Sequence, residues 1–138
     1  MNPEAEVLKK RSKKFALDVL AFVRTLPASA ESRNIGDQLI RSATGTAANY
    51  RAACRSRSDV EFIARIGVAL EEADESALWL EIVSEGGLTN SSEAPRLLDE
   101  ANQLSAIFAK SRITAIEGMK RRKESRERRD ADVYLKRV

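Results

Sequence analysis

Two adjoining helix-period patterns between Ile35 and Val83, parted by the basic break Arg55-Ser56-Arg57-Ser58, restrict this chain more than anything else in it. In the first, Ile35, Leu39, Thr46, Tyr50 and Ala53 recur at steps of three, four or seven and so share one side of a helix. Small residues surround them (Ala43, Gly45, Ala47, Ala48, Ala52), which lets a second helix approach closely. In the second, Ile63, Ile66, Leu70, Ala73, Ala77 and Leu80 form a stripe that Phe62, Ala69, Trp79 and Val83 widen. An apolar band that broad needs partners on more than one side. The rest of the sequence reads as supplying them.

The helix ends are marked by local chemistry. Asn2 is a good N-cap with Pro3 in the first helical position, and Pro27 stops the helix that Leu8, Phe15, Val19, Phe22 and Leu26 define. A short polar link, Ala28 to Ser32, leads into the second helix, where Gly45 costs about 1 kcal/mol relative to alanine unless close packing offsets it. Ser58-Asp59-Val60-Glu61 is a capping-box signature, and Gly86-Gly87 ends the helix it opens. Ser91 or Ser92 caps a fourth helix with Pro95 in its first turn and a stripe of Leu97, Ala101, Leu104 and Phe108, followed by Ile113 and Ile116. No segment alternates apolar and polar residues long enough to make a strand. The expectation is an all-α, antiparallel up-down-up-down four-helix bundle over residues 1–118, made of rods of roughly 30–42 Å. Residues 119–138 form a basic, charge-rich C-terminal tail, for which composition favours a mobile segment over a helical extension held by Arg–Glu pairs.

Composition removes whole classes of chemistry. At 138 residues the chain is one domain that needs no disulfide or metal staple, and its single cysteine favours a reducing compartment. Cys54 sits among alanines and reads as a buried small residue. The absence of histidine excludes Ser-His-Asp and Cys-His catalysis and the usual zinc sites. Glu71, Glu72, Asp74, Glu75 and Glu81 make an acidic helix face, read as solvated or ion-paired. Ser42 and Thr44 read as packing or backbone-bonding residues. No Gly-rich phosphate loop or paired nucleophile and base is present, so the expectation is no enzyme and no cofactor. Neither a signal peptide nor a membrane-length apolar run is visible, and a bacterial cytoplasmic location follows as the expectation.

Charge is placed unevenly. Net charge is +3, but residues 120–138 hold nine basic and four acidic residues, a local +5, which leaves −2 for residues 1–119. Candidate phosphate contacts are therefore Lys120, Arg121, Arg122 and Lys123 in the tail, with Arg41, Arg51, Arg55 and Arg57 in the second helix and its end. Arg51 and Arg55 are four apart on one face, and Arg41, ten residues earlier, reads as roughly the same side. Lys9 to Lys14 crosses the first helix as a basic run, read first as a solvated face and second as a nucleic-acid contact.

Gln38, Leu39, Arg41, Ser42, Ala43, Ala48 and Asn49 fit a Q-L-x-R-S-A-T-S-[IV]-x-A-N pattern. Ser58, Glu61, Phe62 and Ile63 fit S-x-x-[DE]-F-[IV], and Ala69, Glu72, Glu75 and Leu80 fit a third element. In that order the segment resembles the bacterial proteins encoded within 23S rRNA intervening sequences. The resemblance implies a four-helix bundle assembling as a homopentamer, without known catalysis. It also implies an architecture like that of the accessory variability protein of diversity-generating retroelements, which binds nucleic acid and works with a reverse transcriptase. Two departures stand out: Gly45-Thr46 replaces a usual Ser-Ile pair, and Arg51-Ala52-Ala53 replaces the frequent E-G after the Asn, putting Arg51 beside Arg55 and Arg57. The functional expectation is an oligomeric nucleic-acid-binding accessory protein, the alternative a protein–protein scaffold. No membrane partner is expected.

Overall fold

A computed structural model describes residues 2–138 and contains four helices: α1 (Pro3–Val23), α2 (Ala30–Cys54), α3 (Asp59–Glu85) and α4 (Glu93–Arg137). Each packs mainly against its two neighbours around the bundle; among the described residues the diagonal pairs do not approach at the backbone, and α2 reaches α4 across the core through the side chains of Tyr50 and Phe108. This is the all-α antiparallel bundle that the apolar periodicities call for. The seam between α1 and α4 is the least extensive.

The core is built from the stripes. Phe15, Val19 and Phe22 of α1 meet Leu39, Ala43 and Tyr50 of α2, Ile66, Ala69, Ala73 and Leu80 of α3, and Leu97, Ala101, Leu104 and Phe108 of α4, all buried. Tyr50 and Phe108 stack with ring centroids 5.2 Å apart. Alanine and serine let α2 and α3 come close: the Ser76 hydroxyl lies 2.8 Å from that of Ser42, which itself donates to Leu39 O at 3.2 Å. Thr44 bonds back to Ile40 O at 2.8 Å, so both hydroxyls serve packing and backbone. A Cβ on Gly45 would stand 3.0 Å from Glu72 Cδ, so the glycine makes room for the Glu72 stem.

The caps explain the boundaries. Asn2 Oδ1 accepts from Glu4 N at 2.8 Å, and Ser58 Oγ accepts from Glu61 N at 3.1 Å. At the end of α3, Gly87 (φ +73°) closes a Schellman turn in which Leu88 N donates to Val83 O and Gly87 N to Ser84 O. Two boundaries fall elsewhere than the residue pattern suggests. α1 ends at Val23, three residues before Leu26, because the residue preceding Pro27 is pushed out of the helical region. α2 begins at Ala30, inside the supposed link, because Ser29 Oγ accepts from Ser32 N at 3.1 Å and caps it. Replacing Ser58 by alanine is expected to destabilise the protein by about 1 kcal/mol, read as a lower midpoint in urea.

α4 departs most from expectation. It continues as helix through Gly118 and the whole 119–138 region to Arg137, 45 residues in place of a bundle-length rod and a separate tail. Asp59, at the start of α3, pairs with Arg122 at 2.7 Å, and among the described residues this ion pair is the last cross-helix bond that α4 makes. Beyond it the helix stands alone for about 22 Å. Spacings such as Glu124/Arg128 and Asp132/Lys136 at i,i+4 favour helix there. Ile113 faces solvent, about 140° around the helix from the buried Phe108.

Polar contacts close the α1–α4 seam. Arg11 grips Glu100 through two bonds of 2.6 and 2.9 Å, and Asp18 receives Lys14 at 3.0 Å and Arg96 at 3.3 Å. Burial works to raise the Asp18 carboxyl, but the bonds from Lys14 and Arg96 outweigh it and hold it below its ordinary value. A carboxyl depressed by folding contributes stability that is complete above its unfolded pKa and is lost as pH falls through the folded one. Stability is therefore expected to decline on acidification below about pH 4, and Asp18→Asn to flatten that decline. Urea midpoints taken from pH 6 to pH 3 check it.

Candidate nucleic-acid interface

The hairpin of α1 and α2 runs antiparallel through a short turn, and its register decides which cations meet. The Val23 side chain abuts Gly36 so closely that a Cβ there would stand 2.8 Å from it. Counting outward from this contact brings Lys9 and Lys13 of α1 opposite Arg51, Ala48 and Ala47 of α2. Between them runs a groove of about 390 Å³, floored by Ala16, Ala47, Ala48 and Ala52 and flanked by Lys9, Lys13, Arg51 and Arg55. It is continuous with a second hollow of about 380 Å³ that adds Lys10 and Glu6.

Charge in the groove is poorly neutralised. Glu6 is its one acid and pairs with Lys9 at 2.8 Å, a bond that holds the Glu6 carboxyl below its usual range. Lys13, Arg51 and Arg55 make no ion pair among the described residues. Both arginines are exposed, so their forks stay available for oxyanions. The alanine floor has no bulk to keep a phosphodiester strand away from them.

The eight candidate residues divide into separate groups. Arg51 and Arg55 line the groove, whereas Arg41 turns toward α3, where it hydrogen-bonds Gln38 and approaches Glu75 at 3.8 Å. Ten residues advance a helix by almost three turns and leave a residual rotation of about 80°, enough to send the two arginines to different neighbours. Arg57 lies past the end of α2, its backbone N–H donating to Glu61 at 3.1 Å. Lys120, Arg121, Arg122 and Lys123 are exposed on α4 at the level where α3 begins, and Arg122 is engaged by Asp59. The basic run of α1, read first as a solvated face and second as a nucleic-acid contact, lines the same groove: Lys9, Lys10 and Lys13 face the Arg51/Arg55 pair. The signal was present in the hairpin register, which a lysine run read by itself cannot show.

The acidic face of α3 is partly engaged within the chain. Glu75 accepts from Trp79 Nε1 at 3.1 Å and meets Arg41. Glu72 lies half-buried against Gly45, and burial, with Glu75 and Glu71 nearby, raises its carboxyl above the ordinary value despite Arg41. Among the described residues no cluster has the arrangement of a metal site, and no helix is long and apolar enough to cross a membrane. Cys54 is half-exposed at the mouth of a cavity at the α2–α3 end, a correction to its reading as a buried residue. The Tyr50 hydroxyl lies beside it, and burial together with Cys54 pushes that phenol far above its ordinary pKa.

Among solved structures the chain is similar to the crystal structure of a protein of unknown function from the S23 ribosomal protein family of Bacteroides thetaiotaomicron. The TM-score is 0.70 at 23% identity, covering 76% of this chain and 97% of that one, a likeness of fold. No curated protein matches the chain. The helical pattern, the ordered motifs and the bundle are those of a family whose match spans residues 4–110, and the chain belongs to the 23S rRNA-intervening sequence protein family.

Proposed function

We propose that the protein is a non-catalytic, oligomeric accessory protein that binds structured RNA or DNA through phosphate contacts. The observation that carries this reading is the α1–α2 groove, where Lys13, Arg51 and Arg55 converge without ion pairs over an alanine floor. Cations so arranged on a surface that is otherwise near neutral are suited to a polyanion, and phosphate contacts carry no sequence information of their own. Lys120, Arg121 and Lys123 supply a second basic group on α4. Aromatic residues make up 5% of the chain, so stacking on single strands contributes little and backbone charge dominates. A closed homo-oligomer, a pentamer by family resemblance, would present the groove in several copies and raise avidity. A reverse transcriptase is the kind of enzyme such an accessory would serve.

Mobility-shift titrations with a structured RNA and a duplex DNA test the reading. Binding is expected at low salt, little dependent on sequence, and weakening steeply as salt rises. No shift of either probe at low salt refutes it. The second reading, a protein–protein scaffold, draws on the Arg41–Glu75 approach, which shows an arginine of this chain turned toward a carboxylate. A pull-down with and without nuclease separates the two, since scaffold partners survive nuclease treatment.

A further inference from the structure

The lone part of α4 ends in Val133, Tyr134 and Leu135, of which the last two are about 70% exposed. Consecutive helical residues are 100° apart, so these three span more than half the circumference. A flat face cannot bury them, whereas a socket can. Helical segments of about this length are marginal in water without packing. Neither the apolar tip nor the helix that carries it is accounted for by the chain's own bundle.

A socket exists at the end of the bundle from which α4 emerges. It is a cavity of about 850 Å³ walled by Leu8, Tyr50, Ala53, Phe62 and Ile107. Ser56 lines it as well, and its hydroxyl, shielded from solvent, has no partner among the described residues. Glu4, Arg57 and Asp59 stand on the rim, Asp59 already held by Arg122, while Lys136 and Arg137 follow the apolar tip. The chain's own tip cannot enter. Asp59 fixes Arg122 at the cavity's edge, and from there the helix carries Tyr134 about 18 Å away.

We propose that two copies of the chain meet end to end about a two-fold axis, each seating Tyr134 and Leu135 in the other's end cavity. The exchange is reciprocal because the arm leaves from the same end that carries the socket, which makes the contact isologous. The bases beyond the tip then lie near Glu4 of the rim, and the Tyr134 hydroxyl comes within the reach of Ser56. The arm lies outside the span matched by the family, residues 4–110, so the pairing belongs to this chain's own extension. It does not rest on nucleic-acid binding, and it doubles whatever assembly the bundles form.

Cys54, the single cysteine, lines the cavity and reports on the exchange. In a Leu135→Cys variant, mild oxidation is expected to give a doubly linked dimer on a denaturing gel, and Cys54→Ala in the same background to abolish it. A Tyr134→Glu, Leu135→Glu variant of the full chain is expected to halve the mass seen by light scattering, with helical circular dichroism and thermal midpoint of the bundle retained. An intrachain disulfide, a Cys54-independent crosslink or an unchanged mass in the double variant would overturn the proposal. Binding of the RNA and DNA probes by the double variant is scored separately, so failure of the groove and failure of the arm are distinguishable.

Discussion

Replacing Phe108 by alanine is expected to remove about 3–5 kcal/mol of stability, a large part of the roughly 5–15 kcal/mol typical of a domain. The ring is fully buried on α4 and stacks on Tyr50 of α2, so its removal deletes both transfer energy and a helix-to-helix aromatic contact. The space cannot close easily. Leu104 and Ala101 precede it on the same rigid helix, and Tyr50 is anchored on another. Urea denaturation followed by circular dichroism measures the loss as a lower midpoint with an unchanged slope. Ile113→Ala is the control. It belongs to the same run of apolar residues on α4 but is 55% exposed, and a change within about 0.5 kcal/mol is expected there. A comparable loss at both sites would mean that α4 is seated otherwise than described.

The second large effect concerns the groove. Each phosphate contact contributes a slope of about 0.9 in the dependence of log affinity on log salt for duplex DNA. Arg51→Ala with Arg55→Ala removes two contacts, so the slope is expected to fall by about 1.8 and the affinity at 0.1 M salt by about sixty-fold. Both side chains are exposed and carry no cross-helix bond, so the fold stays intact. Arg41→Ala, on the α3 side of α2 beside Glu75, is expected to leave the slope unchanged. Mobility-shift titrations at several salt concentrations read both. A slope unaffected by the double change would remove the groove from the binding surface, and an equal effect of Arg41→Ala would make the contribution diffuse charge instead of a site.

Residue pattern and structure agree where the physics is local. Stripes at helical spacing became the buried faces of four helices, and Asn2, Ser58 and Gly87 cap them through bonds within a few residues. Disagreement begins where local preference meets a neighbour or lacks one. The 119–138 region has a composition suited to disorder, yet opposite charges at i,i+4 spacing favour helix there, and α4 runs on from its packed part to Arg137. Cys54 sits among alanines but at a helix end, where the core opens into a cavity.

The amino-acid order alone determined the number of helices, the residues that line the core and the exclusion of histidine chemistry. Those properties follow from apolar spacing, caps and residue types, which need no knowledge of what lies across the bundle. Which cations stand together was decided only by tertiary structure. A rotation of about 80° along α2 parts Arg41 from Arg51, and the hairpin register, set where Val23 meets Gly36, delivers the lysines of α1 to Arg51 and Arg55. Charge clusters are made by the packing of distant faces, and that packing is a property of the assembled helices, not of any one of them.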